Sequence, residues 1–334
     1  MYLIIVLIVV KKWRNKMIYF IVNTTSKSGR GKAVWKEVRE QIKKYSFEYK
    51  AFRTKYKGHA TWLAKKISEL DDDDINLIVI GGDGTVNEVV NGITDFEKVK
   101  FAIIPAGSGN DFARGLKLGK DITQITKDIF ENIKLCAEKN PCLYPAIDLG
   151  EVSWDGCEKP RKFAISSGIG LDAIVCKKAL DSKLKDFLNK IHLGKLTYII
   201  LTVQTLFSMD TFNGKCIIDG EEKNYDKIIF SAIMNFRAEG GGVPMAPGAS
   251  ATDGKFSVCC VAGIPQWLTF FCLPLLVMAQ QKYIKRFELF DCEEYSFELD
   301  KPVVLHTDGE YIADVNKVEY RCLPAQLKML NTIN

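Results

Sequence analysis

The chain has 334 residues, 47% of them hydrophobic and 26% charged, which places it among globular proteins and excludes a disordered or fibrous chain. Its formal net charge of +5 is too mild to argue for a nucleic-acid partner, though it suits attraction to an anionic membrane surface. Ten cysteines without a C-x-x-C pair or recognisable disulfide spacing and three scattered histidines give no zinc or disulfide pattern, and buried, reduced cysteines in a cytoplasmic protein are the expectation.

The chain opens on an apolar run, Met1 to Val10, followed by KKWRNK. Such a run is shorter than the roughly 20 residues that span a bilayer. It also lacks the leading charge and small-residue cleavage site of a secretory signal. Residues 1–16 are therefore expected to be an N-terminal extension, with a weak membrane-contacting segment as the alternative. From Ile18 the pattern predicts a strand (IYFIVN), a glycine-bearing loop, a helix over Ala33–Lys44 and a strand over Phe47–Thr54. A helix (His59–Leu70), an acidic turn (71–74), a strand (Ile75–Ile80), a helix (Thr85–Val90) and a strand (Phe101–Ile104) follow. Strands alternating with helices predict a parallel sheet covered on both faces, with ligands at the carboxyl ends of its strands.

Beyond about residue 145, short strand-like runs separated by turns predict an antiparallel sandwich or barrel, interrupted by helical stretches over 173–209 and 265–284. The expected organisation is an α/β nucleotide-binding domain over 17–145, completed by 315–334, and a β-rich substrate domain over 146–314.

Four strand-end loops carry polar, glycine-bearing sequence: NTTSKSGRGKA (23–33), RTKYKGHA (53–60), GGDGT (81–85) and PAGSGNDFARG (105–115). Glycines let backbone N–H groups approach an anion, and a helix N-terminus favours negative charge there. A carboxylate such as Asp83 beside bound phosphates calls for a divalent cation, Mg²⁺. The alternative is a tight turn with Asp83 as a helix N-cap. The first loop is no Walker A motif, because Ser26 stands at its first glycine and Ala33 follows Lys32. SSGIGLDA (166–173) matches a dinucleotide fingerprint but lacks the acidic partner, and reads as a loop near the substrate cleft.

GGDGTVNEVVNGI followed by PAGSGNDFAR resembles the catalytic domain of the diacylglycerol kinase and sphingosine kinase superfamily, most of all its soluble bacterial lipid kinases, from about residue 17 to the end. GGDGT alone is shared with NAD kinases and phosphofructokinase-like proteins, so an NAD kinase or other soluble-substrate kinase is the rival. The resemblance implies a three-layer, phosphofructokinase-like α/β domain with a C-terminal antiparallel β-sandwich domain. It implies an ATP- and Mg²⁺-dependent lipid kinase, with diacylglycerol the first-ranked acceptor and phosphatidic acid the product.

Residue by residue, Asn23, Thr24, Thr25, Ser26 and Lys27 would line the nucleotide phosphates, and Thr54 would contact the nucleotide. Gly81, Gly82, Asp83, Gly84, Thr85, Val86 and Asn87 would hold the phosphates, with Ser108 and Asn110 in the fourth loop. Asp83 and Asp111 would belong to a polar network around Mg²⁺. In the second domain Asp253 would hold a metal, Glu310 would accept the proton of the attacking hydroxyl, and Asp308 would support it. Gly309 between these two acids also fits an ordinary hairpin turn. Thr24 and Ser108 replace the family's usual proline and threonine.

IPQWLTFFCLPLLVMAQQKYIKRF (264–287) and the lysine-bearing stretch over 180–209 either rest in a membrane interface, wall an acyl pocket or simply cover the second sheet. A membrane lipid substrate, peripheral membrane contact and a homodimer complete the expectations.

Overall fold

The structure is a computed structural model that describes residues 17–45, 47–138, 144–180 and 194–333. The expectation for residues 1–16, and that for the Lys27 side chain, lie outside the described residues. The chain divides into two compact units, Met1–Ile147 with Ala325–Asn334, and Asp148–Pro324.

The first unit is a parallel sheet. Strands β1 (Ile18–Val22), β2 (Tyr49–Arg53), β3 (Ile75–Gly81) and β4 (Val99–Pro105) lie in the order β4-β3-β1-β2. The end of the last strand, β13 (Glu310–Met329), adds a fifth, parallel to β4 through Lys328 and Met329. β1, β3 and β4 are buried along their whole length, as strands covered on both faces must be. On one face Phe20, Ile78, Ile80 and Ile104 pack with helices α1 (Ser26–Tyr45) and α5 (Ile122–Glu138). Helices α2 (His59–Ser68) and α3 (Asp83–Gly92) pack against each other and against β1 and β3, and the short α4 (Asp111–Gly115) follows β4. Strand order reverses between β1 and β3, which is where α/β sheets open a ligand crevice.

The second unit is antiparallel and built around two 14-residue strands, β9 (Glu221–Met234) and β12 (Glu294–Thr307). The first half of each pairs with β8 (Phe212–Ile218), and the second half with β7 (Ser166–Gly170). β10 (Phe256–Ala262) and β11 (Phe287–Cys292) extend the sheet beyond β9, while β5 (Ala146–Trp154) pairs with β6 (Arg161–Phe163) and β13. Phe163, Phe256, Tyr295 and Phe297 fill the core between the strands. A second core, with Leu206, Phe230, Leu276 and Phe287, lies under helices α6 (Leu171–Leu180), α7 (Gly194–Ser208) and α8 (Gln266–Val277). The α/β plus β-sandwich architecture expected from the sequence is the one found.

Three local readings change. α1 begins at Ser26, not Ala33, because Asn23 Oδ1 accepts the N–H groups of Thr25 (3.2 Å) and Ser26 (3.1 Å) and satisfies the first turn. SSGIGLDA is strand β7 running into α6, not a loop. Its glycines serve close packing, since a Cβ on Gly170 would lie 2.4 Å from the Ile229 carbonyl oxygen. Cys136 is disulfide-bonded, whereas eight other cysteines are free thiols. Among the described residues no helix is long and apolar enough to cross a membrane.

Candidate functional site

In the first unit the ends of β1, β3 and β4 are tied together by their own loops. Asn23 Nδ2 donates to Thr85 Oγ1 (3.0 Å), and Ser26 Oγ donates to the Ala106 carbonyl (2.6 Å). The Ala106 N–H donates to the Gly81 carbonyl at 2.8 Å. Glycine is required here by space: a Cβ on Gly81 would lie 2.7 Å from the Thr85 side chain. Asp83 is the first residue of α3 and Gly82 is its N-cap, so the N-cap alternative for Asp83 does not hold.

Two carboxylates meet over the fourth loop. A side chain on Gly109 would begin 3.0 Å from Asp83 Oδ2 and 3.4 Å from Asp111 Oδ2. Asp83 Oδ1 accepts the Phe112 N–H (3.0 Å), which anchors it across to α4. Arg114 bonds Asp111 and donates to the Gly109 carbonyl (2.9 Å). Asn110 holds the loop in shape from a left-handed conformation (φ 53°): its Oδ1 accepts from Gly107 N (2.9 Å) and its Nδ2 donates to Gly107 O (3.0 Å). Ser108 is exposed at the loop tip and Asn87 is buried in α3. The structure thus gathers Asn23, Ser26, Gly81, Asp83, Thr85, Asn110 and Asp111 on one edge of the sheet. Hard carboxylate oxygens on a glycine-rich turn are the donor set that suits Mg²⁺, so these residues fit the ion.

The loop after β2 is fixed by a residue the sequence reading passed over. Glu88, on α3, accepts the N–H groups of Gly58 (2.8 Å) and Ala60 (3.1 Å), capping the start of α2 with negative charge. Its partners lie 28 and 30 residues away, so no local pattern marks it. Thr54 N donates to the Val22 carbonyl at 3.0 Å, beside a groove of about 790 Å³ along β2 and α2.

In the second unit Asp308 and Gly309 turn the chain between β12 and β13, with φ of 47° and 80°. The Asp308 carboxylate accepts three backbone N–H groups, from Ala164 (3.0 Å), Ile165 (2.8 Å) and Ser166 (3.1 Å). It therefore locks the entry to β7. Glu310 is half-buried beside the turn, 3.5 Å from Arg161, whose Nε donates to Thr307 Oγ1 (3.0 Å). Asp253 lies on an exposed turn where its Oδ1 accepts the Lys255 N–H (3.1 Å). The next residue, Gly254, donates to buried Asp148 (2.8 Å), a carboxylate the sequence reading also missed. Burial first, then the charges of Asp148 and Asp253, pushes the Cys322 thiol up to about 12.

Asp172, Glu239 and His306 form a separate cluster, their ligand-capable atoms all within 4.8 Å of one another. His306 Nε2 lies 3.1 Å from Asp172 Oδ2, and Ser166 Oγ bonds Glu239. Burial works to lower the His306 pKa, but the hydrogen bond and charge of Asp172, with Glu239 and Asp308, outweigh it and the net direction is up.

Residues 17–137 match the family model described as diacylglycerol kinase catalytic domain, and residues 166–331 the model described as YegS C-terminal NAD kinase beta sandwich-like domain. The Bacillus subtilis protein named "Putative lipid kinase YtlR" is 30% identical over 294 residues, covering 87% of this chain and 92% of that protein. A Staphylococcus carnosus diacylglycerol kinase is 30% identical over 249 residues, 74% of this chain and 73% of its own. Among solved structures, a diacylglycerol kinase from Bacillus anthracis shares the fold at a TM-score of 0.70 and 22% identity, over 95% of this chain and 97% of its own. An ATP complex of an Archaeoglobus fulgidus NAD kinase shares it at 0.50 and 11% identity, over 95% and 94%. The chain is a kinase and belongs to the diacylglycerol kinase and YegS-like lipid kinase family.

Proposed function

We propose that the chain transfers the γ-phosphate of ATP to the hydroxyl of a membrane lipid, with diacylglycerol as acceptor and phosphatidic acid as product. The observation that carries this reading is the convergence of Asp83 and Asp111 on Gly109, beside the glycine turn that opens α3. Phosphoryl transfer needs positioning and charge neutralisation more than covalent help. The backbone of Gly81, Gly82, Gly84 and Thr85, with Asn23, Thr24, Thr25 and Ser26, orients the phosphates; Thr54, Val86, Asn87, Ser108 and Asn110 complete the nucleotide's surroundings. Asp83 and Asp111 are the residues that would hold Mg²⁺, and Asp253 beside Asp148 is the second candidate. The ion would supply positive charge against the phosphate oxygens.

Glu310 accepts the proton of the acceptor hydroxyl as that oxygen bonds the γ-phosphorus and the bond to the departing ADP oxygen breaks. Arg161 orients the Glu310 carboxylate, and Asp308 fixes the turn that presents it. A lipid acceptor also asks for peripheral contact with a membrane surface. Purified protein should transfer label from γ-labelled ATP to diacylglycerol in mixed micelles, and Glu310→Gln should lose the transfer while keeping its melting temperature. Unimpaired transfer in that variant removes Glu310 from the role. Phosphorylation of NAD but of no lipid would replace the acceptor class.

A further inference from the structure

Helix α8, QWLTFFCLPLLV, is apolar on every side, yet only a narrow stripe of it is buried. Thr269, Cys272 and Leu276 recur at helical spacing and face the core with Leu206, Ile264 and Phe287. Leu273 is partly buried beside them, and most of the remaining side chains stand in solvent: Trp267 is 60% exposed, Phe271 64%, Val277 64% and the C-cap Met278 66%, with Leu268, Phe270 and Leu275 between them. α7 continues the surface through Phe207, whose ring lies 6.0 Å from that of Phe270. Gln266 Nε2 donates to the Met209 carbonyl (2.6 Å), so the start of α8 is tied to the end of α7. Contiguous apolar surface of this kind marks an interaction site.

Its occupant follows from charge and residue type. From Pro265 to Phe287 the sequence carries no carboxylate, and it ends in exposed Lys282, Lys285 and Arg286, with Tyr283 70% exposed among them. Trp and Tyr beside aliphatic side chains, rimmed by cations, is the composition of a membrane–water interface. A second copy sharing this face about a twofold axis would bring two sets of these cations into one interface with no carboxylate from Pro265 to Phe287 to offset them. At 12 residues the helix is too short to span a bilayer and suited to lie in its surface.

We propose that the outer faces of α7 and α8, with Lys282, Lys285 and Arg286, form the docking surface of this chain for an anionic lipid bilayer. The inference rests on the lipid-acceptor reading and names the surface that the reading leaves open. In cosedimentation without nucleotide, the full chain should bind vesicles of phosphatidylglycerol and phosphatidylcholine more tightly than vesicles of phosphatidylcholine alone. Trp267→Ser with Phe271→Ser should weaken binding to the anionic vesicles at least tenfold. Lys282→Gln with Lys285→Gln, both on exposed positions, should erase the preference for anionic vesicles, as should raised salt. Binding by both variants equal to the parent overturns the proposal, as does a parent dimer in solution that the Trp267 and Phe271 changes convert to monomer. Turnover of a water-soluble short-chain acceptor by the unaltered chain tests phosphotransfer separately, so failure of docking and failure of the kinase reading are read apart.

Discussion

Gly82 and Gly107 stand backbone to backbone: a Cβ on Gly107 would lie 2.5 Å from the Gly82 Cα, and one on Gly82 would lie 2.9 Å from the Gly107 Cα. The loops after β3 and β4 meet there with no side chain between them, and the carboxylates of Asp83 and Asp111 reach Gly109 from that junction. Gly107→Ala must push two backbones apart, since no flexible side-chain end can give way. Such overpacking costs about 1–3 kcal/mol of stability. A displacement near 1 Å at the phosphates lowers turnover by about a hundredfold. Steady-state turnover and a thermal melt check both; a variant with parental turnover and melting temperature would refute the close-approach argument.

Glu88→Ala uncaps α2, leaving the Gly58 and Ala60 N–H groups without their carboxylate. The loss in stability should be about 1 kcal/mol, the usual scale for an N-terminal cap. Because the same contact fixes the loop that carries Thr54, KM for ATP should rise more than kcat falls. Steady-state kinetics with ATP varied decides this, and an unchanged KM detaches Glu88 from the nucleotide.

Asp308→Ala strands three buried N–H donors at the entry to β7. Each unsatisfied donor costs about 1–3 kcal/mol, and relaxation of the turn recovers part, so about 3 kcal/mol is expected from denaturant unfolding. If Asp308 acted only in proton transfer, activity would fall with the unfolding curve unmoved.

His306 carries a pH dependence of stability. Its pKa in the folded chain is raised above the ordinary value of 6.5 by Asp172, Glu239 and Asp308, against the effect of burial. Protonation therefore favours the folded state: the contribution is complete below 6.5 and is lost as pH rises through the folded value. Melting temperature should decline with increasing pH above that point, and His306→Gln should flatten the decline. A parental profile that is flat over the interval excludes the His306–Asp172 pair as its source.

The parallel sheet and the GGDGT turn were legible because they are local: an apolar run, glycines, then a helix, within a dozen residues. The start of α1 was not, since Gly29 and Gly31 read as loop, while the structure places Gly31 where its Cβ would meet the Asn23 carbonyl at 1.9 Å. Asp148 and Glu88 stayed hidden because each acts on backbone distant in sequence, Asp148 on Gly254 106 residues away. The Asp172–Glu239–His306 cluster assembles from the first turn of α6, the loop after β9 and the end of β12, which only the antiparallel pairing brings together. Asp308 and Glu310 were found as a pair, but the sequence did not reveal that the former is consumed by three backbone donors.

Asn331 is buried against β4, its Oδ1 accepting the Ile103 N–H at 2.8 Å and its Nδ2 donating to the Ile103 carbonyl at 3.2 Å, so a side chain near the C-terminus imitates one more rung of strand pairing. The sheet of the first unit consequently draws this rung from chain that follows the whole second unit in sequence, so its border is sealed only after Asp148–Pro324 has been made. A chain cut off before Ala325 would keep that edge open and should be an easy target for proteases.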